Sequence, residues 1–391
     1  MRRLLSITLF SLLFCISASG QDDGSAVVPG DCRMDHYLPA LKGRSVGVVC
    51  NHTAVVDNRH LIDTLLSHDV KVARIFAPEH GFRGDADAGQ KLMNFTDAAT
   101  GIEVVSIYGS NKKPKPEDVE GLHTIVFDIQ DVGVRFYTYL STLHYVMESC
   151  AENGLKLVLL DRPNPNGMYV DGPVLDLRYR SFVGMHPIPV VHGMTLGELA
   201  RMINGQRWLA GARKCDLTVV PCLNYTHATR YVPPIAPSPN LPDIRSIYLY
   251  PSLCYFEATS ISVGRGTAFP FKVYGHPSMK AGHSFSFTPR SVPGATDPPL
   301  KDKPCYGADL RNAPSDDEVI GAGINLAYLI DGYKSLDMGD KFFTSFFEKL
   351  IGVDYVRKMI EEGRTAEEIK GSWRSDVEAF KRNRKPYLLY E

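Results

Sequence analysis

From residue 45 onward the chain alternates short apolar runs with segments whose apolar residues recur every three or four positions. Ser45 to Cys50 is followed by Leu61, Ile62, Leu65 and Leu66 at helical spacing, then by Lys71 to Ala77. Thr124 to Phe127 leads into a stripe of Leu140, Leu143, Val146, Met147 and Cys150, a stop at Gly154, and the run Lys156 to Leu160. Short continuous runs bounded by turns read as buried strands and the periodic ones as amphipathic helices. Strand, helix, strand in this order predicts an α/β fold with a parallel sheet covered by helices on both faces.

Beyond this the pattern changes. Thr195-x-x-Glu198 is a capping box opening a helix that carries Leu199, Met202 and Ile203. The Pro-rich stretch from Pro233 to Pro242 interrupts regular structure, and a domain hinge is expected near it. After it, Ser284 to Thr288 reads as a strand, Pro289 to Pro304 as a long loop, and Ser315-x-x-Glu318 and Thr365-x-x-Glu368 as two more capping boxes. The expected division is a catalytic domain over 40–235 and a smaller α+β domain over 236–391 that completes a cleft. The basic run Lys381 to Lys385 suits a solvated helix end, where cations are favoured.

The first twenty residues stand apart. Met1-Arg2-Arg3, the apolar run Leu4 to Ile16 and then Ala18-Ser19-Gly20 form the three parts of a secretory signal peptide over 1–20. The run is short of the roughly 20 residues a membrane span needs. Cys15 follows Phe14 where a lipoprotein signal would carry a small residue, so a periplasmic or extracellular protein without a lipid anchor is expected. Seven cysteines follow Cys15 at wide spacing, which is neither a disulfide framework nor a zinc motif; a single bridge such as Cys215 with Cys222 stays open.

Charge narrows the partners. With 44 acidic against 43 basic residues there is no basic field to hold nucleic acid, and 44% hydrophobic residues are enough for a large core. No later stretch is long and apolar enough to cross a bilayer. Oligomeric state is not legible.

In an open parallel sheet ligands bind outside the carboxyl ends of the strands, so the residues after each apolar run are the ones to inspect. Four runs end in polar groups: Asn51-His52, Glu79-His80, Asp128-x-Gln130-Asp131, and Asp161-Arg162 followed by Pro163-Asn164-Pro165-Asn166-Gly167. One such ending is ordinary turn chemistry; four in one sheet point to a site. The first strand is not followed by a Gly-rich turn, and G-x-x-x-x-G-K-[ST], G-x-S-x-G and H-E-x-x-H are all missing, which disfavours dinucleotide, P-loop, α/β-hydrolase and zincin chemistry. No cofactor or metal is called for.

Glu79 sits in Ala77-Pro78-Glu79-His80-Gly81-Phe82-Arg83-Gly84. A carboxylic acid held against an apolar neighbour such as Phe82 would have the raised pKa that a general acid needs; a glutamate bonded to its own loop is the structural alternative. Asp128 to Tyr139 adds acids, an amide, Arg135 and the aromatics Phe136, Tyr137 and Tyr139, a mixture that suits carbohydrate, with rings for the C–H face and polar groups for hydroxyls. Read structurally, Tyr137 and Tyr139 would be core residues at a helix start and Asp131 a cap.

At these residues the chain resembles the exo-acting β-N-acetylmuramidase family of bacterial glycoside hydrolases. The resemblance runs through the Pro78 to Gly84 block, Asp128 to Tyr139, Asp161 to Pro165, His192-Gly193-Met194-Thr195, Pro237 to Pro242 and Ser262 to Thr267. It implies a Rossmann-like domain without a nucleotide, a smaller C-terminal domain, an active site between them, and release of N-acetylmuramic acid from the non-reducing end of peptidoglycan fragments. One departure is Glu257-Ala258-Thr259-Ser260, where relatives tend to read Glu-Gly-Thr-Asn; it bears on positions 258 and 260, not on Glu257 as a sugar contact.

Glycoside cleavage needs an acid for the leaving oxygen and a second group at the oxocarbenium-like centre. Glu79 is assigned as the general acid. Asp131 or Asp128 would activate water or orient the substrate's acetamido group, with His80 and Gln130 on its hydroxyls. The lactyl carboxylate of muramic acid calls for a guanidinium, with Arg265 first and Arg135 and Arg83 behind it. Two rivals remain. A metal-dependent amidase or deacetylase would draw on His52, His80, Asp128, Asp131 and His192, and a silent glycan-binding protein would keep the cleft without turnover.

Overall fold

In the computed structural model, which describes residues 26–79, 81–82 and 93–391, the apolar runs form one seven-stranded sheet. Its strands are β1 (Ser45–Cys50), β2 (Lys71–Ala77), β3 (Phe95–Thr96), β4 (Glu103–Ser106), β5 (Thr124–Asp128), β6 (Lys156–Leu160) and β7 (Asp216–Val220). The spatial order is β3-β4-β2-β1-β5-β6-β7. Every pairing is parallel except β3 with β4. The expected signal segment 1–20, His80 and Arg83 lie outside the described residues.

Alternate side chains of these strands enter two different cores, which is why the runs read as continuously apolar. Val46, Val48, Ile75, Val126 and Val158 face helix α1 (Leu61–Ser67). Val49, Phe76, Phe127 and Leu159 face α2 (Tyr139–Asn153) and α3 (Leu196–Gly205). Helix α2 stops where the sequence places the stop: Gly154 takes the left-handed conformation at φ 65° and its N–H reaches Cys150 O. Thr195 and Glu198 close the expected capping box of α3, and those at Ser315 and Thr365 also form.

The second half begins with α4 (Ile244–Leu253) and adds a three-stranded antiparallel sheet, β8 (Val273–His276), β9 (Phe285–Phe287) and β10 (Cys305–Asp309), with β10 in the middle. Helices follow to Arg384. The two halves are stitched together. Arg135, 1% exposed, donates to the carbonyls of Pro173 and Ile188 from the first half and of Leu350 and Ile351 from the second, at 2.7–2.9 Å. Tyr390, next to the last residue, donates to Asp161 Oδ2 at 2.7 Å. Among the described residues Cys32, Cys150, Cys215, Cys222, Cys254 and Cys305 are free thiols, so Cys215 is not bridged to Cys222.

Candidate active site

Glu79 follows β2 at the carboxyl edge of the sheet, and its two oxygens are held by hydroxyls from two other elements. Tyr108, just past β4, donates to Oε1 at 2.8 Å, and Thr138, at the start of α2, donates to Oε2 at 2.5 Å. Burial raises the Tyr108 phenol above its ordinary range, and the Glu79 charge raises it further, so Tyr108 stays a donor. The close surroundings of the carboxylate are therefore polar. Phe82, the expected apolar neighbour, packs edge-on against His60 with ring centres 4.9 Å apart.

Glu79 opens into a cavity of about 230 Å³ between the two halves. Tyr108, Tyr137 and Thr138 line it from the first half, Asn240 from the Pro-rich link, and Tyr250, Glu257, Arg265 and Phe271 from the second half. This is smaller than the roughly 300–1,000 Å³ of drug-sized sites, a space for one sugar residue rather than several. Aromatic walls with a few polar groups suit a sugar's C–H faces and hydroxyls. Tyr137 stands edge-on to both Tyr139 and Tyr250 and anchors its own hydroxyl on Pro237 O at 2.9 Å.

Arg265 and Glu257 form an ion pair in this wall, with Arg265 Nη2 2.6 Å and Nε 2.8 Å from Glu257 Oε1. The guanidinium lies over the Phe271 ring, 5.2 Å from its centre. The same two residues border a second cavity of about 390 Å³, closed on its far side by Gly294 to Pro299.

The other strand-end residues lie beneath this cleft and hold it up. Both oxygens of Asp128 are taken by Arg162, at 2.5 Å from Nε and 3.0 Å from Nη2, and Arg162 also binds Asp31 at 2.6 Å. Burial pushes the Asp31 carboxyl up to about 7 against the pull of Arg162. Asp161 takes the Thr195 hydroxyl, the Gly197 N–H and the Tyr390 hydroxyl, tying α3 and the C-terminus to β6. Asn51 bridges Tyr139 and Thr53, and His52 bonds the carbonyl of Ala236. Gln130 donates to the carbonyls of Asp131 and Pro163, and Asn164 to that of Met194.

Asp131 sits apart from Glu79. It lines an interior space of about 10 Å³ with Ile129, Arg162 and Met194, room for one water at most. Its Oδ1 accepts the Gly133 N–H at 2.7 Å, as the turn-cap reading expects. Burial pushes its carboxyl up to about 7. Gly133 is needed there: it lies at φ 76°, and a Cβ would meet the Asn164 amide at 2.0 Å.

Of the expected site residues, the structure thus brings Glu79, Tyr137, Glu257 and Arg265 to one cavity. Asn51, Asp128, Gln130, Asp131, Arg135, Asp161, Arg162 and Asn164 are buried in the scaffold. For Arg135 the expected grip on a substrate carboxylate is corrected: four backbone carbonyls occupy its guanidinium, and burial lowers its pKa to about 10. The proposed metal ligands are dispersed as well, with Asp128 spent on Arg162 and His52 on a carbonyl; among the described residues no three such groups converge. Tyr108 is not singled out by the sequence, and Asn240 stands inside the Pro237 to Pro242 block of the resemblance with no role assigned to it. Tyr108 follows a four-residue strand too short to stand out as an apolar run.

Two family models together match most of the chain. The N-terminal model of exo-β-N-acetylmuramidase NamZ matches residues 46–245, and the C-terminal model matches 248–390. The chain is 36% identical over 378 residues to the peptidoglycan β-N-acetylmuramidase NamZ of Bacillus subtilis, covering 92% of this chain and 90% of that one. Two crystal structures of DUF1343 family proteins from Bacteroides fragilis share its fold. One is 53% identical with a TM-score of 0.88, covering 94% of this chain and 99% of that one. The other is 26% identical with a TM-score of 0.76, covering 93% and 99%.

Proposed function

The chain belongs to the exo-β-N-acetylmuramidase family and is a glycosidase acting on peptidoglycan; we propose that Glu79 is its general acid and that N-acetylmuramic acid leaves from the non-reducing end of glycan fragments. The observation that carries this is the placement of the Glu79 carboxylate, held by Tyr108 and Thr138, in the wall of a cavity for one sugar.

Protonated Glu79 gives its proton to the bridging oxygen as the C1–O bond breaks, so the leaving fragment departs as an alcohol. Two hydroxyl contacts fix the carboxyl in place, and each hydroxyl can turn to accept when the acid carries its proton. Arg265 is the guanidinium of this wall and the candidate for the lactyl carboxylate, which separates muramic acid from N-acetylglucosamine. Export through residues 1–20 would bring the enzyme to the compartment of its substrate.

The test is incubation of the mature protein with a muramic-acid-terminated disaccharide and identification of the released sugar. Glu79→Gln should lower turnover by about 10²–10⁴-fold while sugar binding survives. Release at full speed by that variant overturns the assignment.

A further inference from the structure

We infer that Glu257 is the second catalytic carboxylate of this cleft; the inference rests on the Glu79 reading and extends it to the group that meets the sugar's anomeric carbon. Glu79 and Glu257 are the two carboxylates that line the cavity of about 230 Å³ among the described residues, one from each half of the chain. The two aspartates suggested by the sequence are placed differently: Asp128 gives both oxygens to Arg162, and Asp131 faces a separate interior space.

The surroundings of Glu257 suit a fixed anion. It lies in a short helical turn, Cys254–Ala258, with Arg265 on Oε1 and the Cys254 thiol 3.4 Å from Oε2. Arg265 is itself braced over Phe271 and set between Gly264 and Gly266, at φ 78° and 79°. A Cβ at Gly266 would meet Arg290 O at 2.4 Å, so the loop that aims the guanidinium has one course. Glu79 is held by the neutral hydroxyls of Tyr108 and Thr138, and Glu257 by the Arg265 guanidinium. That difference divides the work between a proton donor and a charge-bearing partner. Glu257 also borders the cavity of about 390 Å³, so a fragment extending from one space into the other passes it.

The step is balanced as follows. The electron pair of the C1–O bond leaves with the bridging oxygen, which takes the Glu79 proton. The positive charge that develops on the sugar is offset by the Glu257 carboxylate. The oxygen of one water bonds to C1 and its proton passes to Glu257. Solvent exchange then returns a proton to Glu79 and removes one from Glu257, and the sum is hydrolysis.

The experiment compares a 4-nitrophenyl β-N-acetylmuramide, whose leaving group needs no acid, with the natural disaccharide. Glu257→Ala should lose about 10³-fold or more in kcat on both substrates, and added formate or azide should restore part of it. Glu79→Gln should lose far more on the disaccharide than on the nitrophenyl glycoside. Glu257→Gln, which keeps an oxygen for Arg265, guards against misfolding and should show the same kcat loss. A folded Glu257 variant that keeps kcat within about tenfold and changes only KM makes Glu257 a binding group and overturns the inference. If Glu79→Gln is instead indifferent to leaving group, the acid assignment is the one that fails.

Discussion

Thr138 opens the fifteen-residue helix α2, yet its hydroxyl bonds Glu79 Oε2 at 2.5 Å and makes no cap to its own helix. A threonine at a helix N-cap ordinarily satisfies one of the helix's unpaired N–H groups, which is worth about 1 kcal/mol. Here that use is forgone, and the hydroxyl holds a carboxylate carried by a different strand.

Thr138→Val keeps the shape and removes the hydroxyl. The hydroxyl fixes the carboxyl for proton transfer, so kcat/KM should fall roughly ten- to hundredfold, while the melting temperature of a chain this long should move by only a few degrees. Thr138→Ser should restore most of the rate. Steady-state kinetics beside a thermal melt separates this from general damage, which would lower both together.

Arg265→Lys tests recognition of the lactyl group. A lysine keeps the charge but cannot offer the planar fork. The preference for a β-muramide over a β-glucosaminide chromogen should drop by about tenfold. An unchanged ratio removes Arg265 from that role.

Asp131 gives a pH signature. Its folded pKa, about 7, lies above its ordinary 3.8, so the folded state keeps a proton that the unfolded chain gives up. Its contribution to stability is intact below pH 3.8 and declines as pH rises towards 7, by about 1.4 kcal/mol per unit over that window. Asp131→Asn leaves an oxygen for the Gly133 N–H and removes the titration. Denaturant unfolding at pH 5 and 7 should show the variant gaining on the wild type at the higher pH; parallel curves would count against the buried proton.

Arg162→Met leaves Asp128 and Asp31 buried without their cation. Breaking a buried pair in this way costs about 3–5 kcal/mol, so the denaturation midpoint should fall by that equivalent. Replacing all three by apolar residues of similar size should recover much of the loss.

The centre of the sheet is legible because β1, β5 and β6 are buried on both faces and so carry apolar runs, as at Val46 to Cys50. Strand β4, only Glu103–Ser106, is too short to register as a run, and Tyr108 at its end carries no signal of its own. Strand-end position pointed to Glu79, which lines the cavity. It could not separate residues that face the cavity from those that support it, because Asn51, Asp128 and Asp161 are also polar groups at the carboxyl ends of strands. What distinguishes them is contact across the fold: Arg162 on Asp128, Tyr390 on Asp161, Tyr139 on Asn51. Arg135 misled for a similar reason, since its carbonyl partners at 350 and 351 are more than two hundred residues away.

The guanidinium of Arg135 makes the two family-matched portions poor candidates for exchange between homologues. It reads backbone geometry, not side chains, on both sides of the boundary, and Gly352 is fitted to it so closely that a Cβ would come within 2.5 Å of Nη2. A chimaera would inherit a buried cation whose acceptors are supplied by another parent. Any graft of a new specificity onto this scaffold would have to carry the 350–352 turn along with the residue it encloses.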